Sequence, residues 1–176
     1  MKIVYCLCGS FCTFGRGIKE LEKLAAEHEI IPVMSQCAYE TDTRFGSAAM
    51  FRERIVTAAG RGIIHTIAGA EPIGPVMKPD LTIIAPCTGN TLAKLANGIT
   101  DTAVTMAAKS TLRRDIPLII ALATNDALGA NLANIATMRN RKNIYFVPMA
   151  MDDPVNKPHS LVADFERLPE VIGRVC

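Results

Sequence analysis

The sequence has little of several features that mark particular classes of protein. Its 176 residues include no Trp and only 5% aromatic residues, and the formal net charge is +2. No basic run interleaved with aromatics is present, so we expect no nucleic-acid partner, and so small a charge gives no reason to expect an anionic membrane surface. No apolar run approaches the ~20 residues that a membrane-spanning helix requires.

The six cysteines do not form a metal-binding pattern. Cys6 and Cys8 share one face of a predicted strand and Cys12 follows in the next loop, but no second Cys/His cluster lies at a useful spacing. We therefore expect buried, reduced thiols and no metal site. The first predicted strand begins directly after Met1, without a charged leader or an apolar export segment, which predicts a cytoplasmic protein.

Short apolar runs alternate with amphipathic stretches along the whole chain. The predicted strands are 3–7, 30–34, 81–85, 118–122 and 144–147, with a weaker one at 63–67. Because these runs are almost continuously apolar, we expect parallel strands covered by helices on both faces. The predicted fold class is α/β: a three-layer α/β/α sandwich with a mostly parallel, Rossmann-like (flavodoxin-like) sheet, in a single domain over residues 1–176.

Helical spacing of apolar residues fills the intervals between these strands. Asp101 or Thr102 is positioned to cap one helix, and Gly60 and Gly98 follow the ends of two others. The predicted helices cover 18–25, 48–59, 92–96, 104–112, 132–138 and 161–175.

The loop after the first predicted strand combines glycines with hydroxyl side chains. It reads G-S-F-C-T-F-G-R-G over residues 9–17 and leads into a helix. Gly9 lets the backbone turn tightly, while Ser10 and Thr13 offer hydroxyls beside a helix N-terminus, which favours anions. The loop therefore predicts a phosphate site, with a Gly-rich turn without ligand as the alternative.

The same loop distinguishes between classes of phosphate ligand. It lacks the G-x-G-x-x-G pattern, and the second strand ends in Ser35-Gln36 without the acidic residue that a dinucleotide site requires. No G-x-x-x-x-G-K-[ST] motif occurs either. A mononucleotide such as FMN fits these features better.

The most distinctive segment spans residues 85–101 and reads A-P-C-T-G-N-T-L-A-K-L-A-N-G-I-T-D. A buried strand ends in Ala-Pro, and a Thr-Gly-Asn turn exposes N–H groups at the start of a helix. This segment resembles the signature of the FMN-binding flavoprotein family that contains phosphopantothenoylcysteine decarboxylase. The resemblance implies a Rossmann-like sandwich that assembles into a homo-oligomer, a trimer or dodecamer, with flavin near subunit interfaces. It also implies that FMN is held by Gly9, Ser10, Ser35, Thr88 and Asn90.

Further blocks are similar to one branch of that family. They are D-T-R-F-G (42–46), A-E-P-I-G-P (70–75), M-A-A-K (106–109), T-N-D-A-L-G (124–129) and D-D-P (152–154). This similarity implies the smaller subunit of an oxidoreductase that converts dihydrodipicolinate to dipicolinate, in the mother-cell cytoplasm of a spore-forming bacterium. A partner A subunit would carry the NADP-dependent half. Two alternatives stay open: a flavin that takes part in the redox step, and a non-catalytic flavin-binding or scaffold subunit.

A second hypothesis is an FMN-dependent decarboxylase of a cysteinyl substrate. Such decarboxylases carry a catalytic His shortly before the third matching strand, where this chain reads Glu71-Pro72-Ile73-Gly74, and His65 lies too early. Of their P-x-M-N-x-x-M-W substrate motif only Asn125 is kept, and their C-G-x-x-G-x-G-R flap is missing. These departures argue against decarboxylation.

Three side chains are candidates for contact with the substrate. Arg44, in a polar turn after the second strand, is the first choice for binding a carboxylate, because guanidinium binds carboxylates bidentately; an exposed loop arginine is the alternative. Asn125 can donate and accept at a strand end, so it suits flavin or substrate. Asp126 is a candidate general base, with a turn-forming or helix-capping role as the alternative. The catalytic candidates are thus Asn125 and Asp126.

Overall fold

Seven strands form one sheet in the computed structural model, which describes residues 1–176. The strands are β1 (Lys2–Leu7), β2 (Glu29–Met34), β3 (Leu81–Cys87), β4 (Leu118–Thr124), β5 (Ile144–Phe146), β6 (Met149–Ala150) and β7 (Leu161–Ala163). The helices are α1 (Phe11–Ala25), α2 (Gln36–Glu40), α3 (Ala48–Ala59), α4 (Ile67–Ala70), α5 (Gly89–Ala96), α6 (Ala103–Leu112), α7 (Leu132–Arg139) and α8 (Leu168–Val175). No helix is both long enough and apolar enough to cross a membrane.

Five strands of the sheet pair in parallel, in the order β2-β1-β3-β4-β5. The short strand β7 pairs antiparallel with the end of β4, and β6 pairs with β7. Because β2 lies on one side of β1 and β3 on the other, the chain reverses its direction of travel across the sheet between β1 and β3. In open α/β sheets, the carboxyl ends of strands at such a switch point are where ligands bind.

Alternate residues of each central strand enter one of two apolar cores. On β1, Tyr5 belongs to the core shared with α1, α3 and α8, whereas Cys6 belongs to the core shared with α4 to α7. Both residues are fully buried. Helices therefore cover both faces of the sheet, which confirms the predicted three-layer α/β/α sandwich.

Helix α1 lies very close to the sheet at Gly17. A Cβ at this position would lie 2.6 Å from the carbonyl oxygen of Ala85 and 2.7 Å from Cδ of Pro86. The buried Tyr5 hydroxyl donates a hydrogen bond to the Gly17 carbonyl at 2.8 Å. Only glycine permits this contact between helix and sheet, which packs the second turn of α1 against the end of β3.

Five strand predictions are confirmed to within about two residues, but two other predictions are wrong. The weaker strand at 63–67 is limited to one bridge between Ile64 and Val33, because Ile67 already begins α4. The helix predicted over 161–175 is divided: its first three residues form β7, a 3-10 turn follows, and α8 begins only at Leu168. Pairing of β7 with β4, a contact between segments distant in sequence, determines this outcome.

Candidate functional site

A cleft of about 360 Å³ opens at the switch point, above the ends of β1 and β3. Four segments contribute to it: the turn after β1, the turn after β3, the end of β4, and the region of β6 and β7. The lining residues are Gly9, Ser10, Phe11, Cys12, Thr88, Gly89, Asn90, Ala123, Thr124, Asn125, Asp152 and Val162. A larger, mostly apolar depression of about 580 Å³ lies beside β5 and α8, but it contains none of the predicted site residues.

The N-terminus of α1 faces this cleft with unsatisfied donors. Ser10 occupies the capping position, yet its side chain makes no capping hydrogen bond and instead accepts one from Thr13 Oγ1 at 3.1 Å. The main-chain N–H groups of Phe11 and Cys12 make no hydrogen bond within the chain. Free N–H groups at the positive end of a 15-residue helix favour an anion.

The turn after β3 is fixed by its own side chains. Thr88 Oγ1 accepts a hydrogen bond from the Thr91 N–H at 3.2 Å and thereby caps α5. Thr91 Oγ1 in turn donates to the Cys8 sulfur at 3.3 Å, which ties this turn to the end of β1. Burial raises the pKa of the Cys8 thiol to about 11. Asn90, by contrast, is exposed and its amide makes no hydrogen bond within the chain, so it is free to contact a ligand.

At the end of β4, the side chains of Asn125 and Asp126 differ in how many hydrogen bonds they make within the chain. Asn125 is exposed to the cleft, and its side-chain oxygen accepts a hydrogen bond from Ser160 at 3.4 Å. The Asp126 carboxylate accepts from Thr124 Oγ1 at 2.5 Å, and each of its oxygens accepts from Asn131 Nδ2 at 2.9 Å. The Thr124 bond, followed by the Asn131 bonds, lowers the pKa of Asp126. This carboxylate is therefore anchored outside the lining of the cleft, and its role as a general base stays a prediction.

Gly89 brings the turn after β3 against this anchored group. A Cβ at Gly89 would lie 2.5 Å from both Asn131 Nδ2 and Thr124 Oγ1, and 3.1 Å from Asp126 Oδ1. The Asp126 network and the start of α5 thus pack together without a side chain between them. Asn90 directly follows Gly89 and Asn125 directly follows Thr124, so both cleft residues are adjacent in sequence to this contact.

Five predicted site residues are brought together at the cleft, and the others lie elsewhere. The five are Gly9, Ser10, Thr88, Asn90 and Asn125. Thr13 is buried within the first turn of α1, because the helix begins at Phe11 and only Gly9 and Ser10 form the turn. Ser35 caps α2 by accepting from the Ala38 N–H at 3.3 Å. Its own N–H donates to the Leu7 carbonyl at 3.0 Å, so it lies beside the end of β1 without lining the cleft.

Arg44 lies outside the cleft of its own chain. It is exposed in a tight turn closed by reciprocal main-chain hydrogen bonds between Thr43 and Gly46, each 3.1 Å long. Its guanidinium lies over the Phe45 ring, 4.9 Å from the centroid. Binding of a carboxylate by Arg44 stays a prediction. Within one chain, the Arg44 side chain does not line the cleft.

The sequence pattern does not identify Asp152 and Val162 as lining residues. Both come from the β6–β7 region, which reaches the cleft only because β7 pairs with the end of β4. The proximity of the Ser160 hydroxyl, followed by contacts with Lys157, lowers the pKa of Asp152. Asp152 is the only charged residue in the lining, since no Lys or Arg contributes to it.

Known proteins resemble this chain over nearly its full length. The profile of the Flavoprotein family matches residues 1–171. The chain belongs to the Flavoprotein family. It is 42% identical over 174 residues to the B subunit of dipicolinate synthase from Bacillus subtilis (strain 168), an alignment that covers 98% of this chain and 87% of that protein. The predicted family and the similarity to that branch are both confirmed.

Solved structures of other proteins show the same architecture. The crystal structure of the B subunit of dipicolinate synthase from Bacillus halodurans superposes with a TM-score of 0.90 at 38% identity and covers 99% of this chain and 92% of that chain. Burkholderia xenovorans DmrB, solved in complex with FMN and described as a cubic protein cage for redox transfer, superposes with a TM-score of 0.72 at 19% identity. That match covers 98% of this chain and 93% of DmrB, and at this identity it shows the fold alone.

The donors present in the cleft fit a phosphate monoester attached to a polar ring. The free N–H groups at the start of α1, together with the Ser10 hydroxyl, suit a phosphate. The amides of Asn90 and Asn125 can each donate to and accept from the edge of a ring. FMN carries both groups, so the residues at this Flavoprotein cleft fit FMN.

Proposed function

We propose that this chain is the B subunit of a dipicolinate synthase and that it binds FMN in the cleft at the switch point. The observation that carries the proposal is the 42% identity to the Bacillus subtilis B subunit over 98% of the chain. Membership of the Flavoprotein family and the donors at the start of α1 support a redox role associated with flavin.

The residues at the cleft have distinct roles in this proposal. Ser10 and the N–H groups of Phe11 and Cys12 bind the FMN phosphate, and the Gly9 turn admits it. Asn90 contacts the flavin ring, while Thr88 holds the turn from which Asn90 projects. Bound FMN supplies a two-electron acceptor, which is what the oxidation of a dihydropyridine to a pyridine requires.

The substrate is dihydrodipicolinate, a dicarboxylate, and Asn125 is the residue of this cleft proposed to bind it. Because no Lys or Arg lines the cleft, the substrate carboxylates need a cation from another chain. Arg44 can bind a substrate carboxylate, as predicted, only if it reaches the cleft of a neighbouring subunit. The complete enzyme comprises a homo-oligomer of this chain, as a trimer or dodecamer, and an A subunit that carries NADP, in the cytoplasm of a sporulating mother cell.

Reconstitution with the A subunit tests this function. The purified chain is supplied with FMN and mixed with the A subunit and NADP+ as the final electron acceptor, and the loss of dihydrodipicolinate is followed with each component omitted in turn. We expect oxidation only when this chain, FMN, NADP+ and the A subunit are all present. Full activity of the A subunit alone would contradict a catalytic requirement for this chain, and full activity without FMN would support the scaffold role. Release of carbon dioxide from a cysteinyl substrate by the chain alone would support the decarboxylase alternative.

Thiol labelling tests where FMN binds, independently of activity. Cys12 is exposed and lines the cleft, whereas Cys176 is exposed at the far end of α8. We expect saturating FMN to slow the alkylation of Cys12 by iodoacetamide, as followed by mass spectrometry, and to leave that of Cys176 unchanged. Equal labelling of Cys12 with and without FMN would place the flavin elsewhere.

A further inference from the structure

Two cations on α6 lack partners within the chain. Lys109 and Arg113 lie one helical turn apart, at the end of α6, and we call this pair the cationic ridge. Neither takes part in any of the nine ion pairs of the structure. Both side chains are exposed to solvent. Their charges are therefore available to a ligand or a partner.

The cationic ridge separates two clefts with partly apolar walls, and both of its residues line each cleft. The cleft on one side measures about 290 Å³ and includes Leu95, Leu112 and the half-exposed Ile99. The cleft on the other side measures about 370 Å³ and includes Met106 and Val76, whose side chain is 72% exposed. Apolar side chains thus lie on both sides of the unpaired cations.

A third cation is fixed at the rim of the smaller cleft. Arg141 donates to the carbonyl oxygens of Leu95 at 3.1 Å and Ala96 at 2.7 Å, so the last turn of α5 holds its guanidinium in place. Glu71 is the one acidic residue that lines either cleft, and it forms no ion pair with the ridge. The surface thus carries an excess of positive charge in a defined arrangement.

This surface lies at the opposite end of the sheet from the cleft at the switch point, which we call the cofactor cleft because it is the proposed FMN site. The end of α6 leads into the first residue of β4, Leu118, and therefore lies at the amino ends of the parallel strands. The cofactor cleft lies at their carboxyl ends. A macromolecule bound at the cationic ridge would leave the cleft open to FMN and substrate.

We propose that the cationic ridge is the docking surface for an acidic segment of the A subunit. Carboxylates of that segment pair with Lys109, Arg113 and Arg141, and its apolar side chains enter the two flanking clefts. Charge complementarity selects this occupant, because a segment rich in Lys or Arg would be repelled and a purely apolar one would leave three cations desolvated. The inference rests on the proposed function, since it requires an A subunit.

Binding measurements with charge-reversed variants test this proposal. Calorimetric titration of the A subunit into the full chain is compared for wild type, Lys109→Glu/Arg113→Glu and the control Lys19→Glu/Arg139→Glu. The control changes the net charge equally at exposed cations that form no ion pair. We expect the ridge variant to weaken binding at least about tenfold and the control to weaken it less than about threefold. Raised salt should weaken wild-type binding and affect the ridge variant less.

The outcomes separate this inference from the proposed function. Unchanged affinity of the ridge variant, or equal weakening by both variants, would overturn the inference while leaving the proposed function intact. Absence of wild-type binding to the A subunit would instead overturn the proposed partnership. FMN titration serves as the folding control, because both variants should bind FMN as wild type does. A change in the homo-oligomer of the ridge variant, measured by sedimentation without the A subunit, would identify the ridge as a contact between copies and overturn the inference.

Discussion

At the scale of single residues, the polar side chains in and beside the cleft are of two kinds. Thr88 and Asp126 are satisfied by partners within the chain, so they fix the shape of the turns around the cleft. Ser10 makes one side-chain hydrogen bond, in which it accepts from Thr13, and the Asn90 amide makes none within the chain. Because unused polar groups at the rim of a cleft gain most from a ligand, Ser10 and Asn90 are the residues whose substitution should affect binding more than folding.

Replacement of Asp126 by Asn should destabilise the protein in a pH-dependent way. Its folded-state pKa is lowered below the usual value, so the carboxylate stabilises the fold above the unfolded pKa of about 4, and this contribution is lost as the pH falls through the folded-state pKa. Loss of charge-assisted hydrogen bonds from Thr124 and Asn131 should lower the free energy of unfolding by about 1–2 kcal/mol at pH 7. Urea unfolding of wild type and variant from pH 7 to pH 3 measures this difference.

The difference between wild type and Asp126→Asn should shrink as the pH falls below about 4 toward the lowered folded-state pKa of Asp126, because the wild-type carboxylate then loses its stabilising effect. Asp115→Asn is the control: Asp115 is exposed and pairs with Lys142 at the surface, so little change is expected at any pH. A penalty for Asp126→Asn that stays constant with pH would show that its charge does not contribute to the network.

At the scale of elements, α1 contains two glycines with opposite roles. Gly15 has no atom within 4 Å of a built Cβ, whereas Gly17 meets the backbone of Ala85. Since Ala is favoured over Gly inside a helix, Gly15→Ala should raise the free energy of unfolding by up to about 1 kcal/mol. Gly17→Ala should lower it by about 1–3 kcal/mol, because α1 must shift from the sheet. Urea unfolding measures both, and a change of the same sign in the two variants would contradict the close contact.

The elements that sequence predicts well are those whose pattern is local. The strand at 81–85 is recognised because every residue of β3 is buried on both faces of the sheet, which requires a continuous apolar run. The strand β7 has only three residues, and its pairing partner is Ala123–Thr124, far away in sequence. Its apolar residues continue into those of α8 and so predict a single helix, although Pro169 in the first turn of α8 is a signal for a helix start there.

The first residue of a helix is likewise set in some cases by neighbouring residues and in others by contacts with distant parts of the chain. The capping box of Thr102 and Thr105 selects Thr102 over Asp101, whose carboxylate pairs with Lys94 at 2.8 Å instead. The start of α1 at Phe11 does not follow from the sequence, because the glycine-rich stretch suggests a longer loop. Within this stretch Gly9 belongs to the turn, whereas Gly17 packs against Ala85, a contact that is visible only in three dimensions.

At the scale of the whole molecule, part of the candidate site follows from topology and part from resemblance. Alternating strands and helices predict that the turns after β1 and β3 share one end of the sheet, and the cleft there confirms that they meet. The motif resemblance supplies the choice of FMN. The contribution of Asp152 and the position of Arg44 away from the cleft are beyond sequence reasoning, because both depend on how loops fold back on the sheet.

In the proposed function, the start of α1 binds the phosphate of a flavin mononucleotide. Comparing FMN with riboflavin tests it most directly, because the two differ only in the phosphate. By flavin fluorescence titration, wild type should bind FMN at least about 100-fold more tightly than riboflavin, as expected for two or more charge-assisted hydrogen bonds. Ser10→Ala should reduce that preference about tenfold and leave the riboflavin affinity unchanged. Equal affinities of wild type for FMN and riboflavin would contradict the claim.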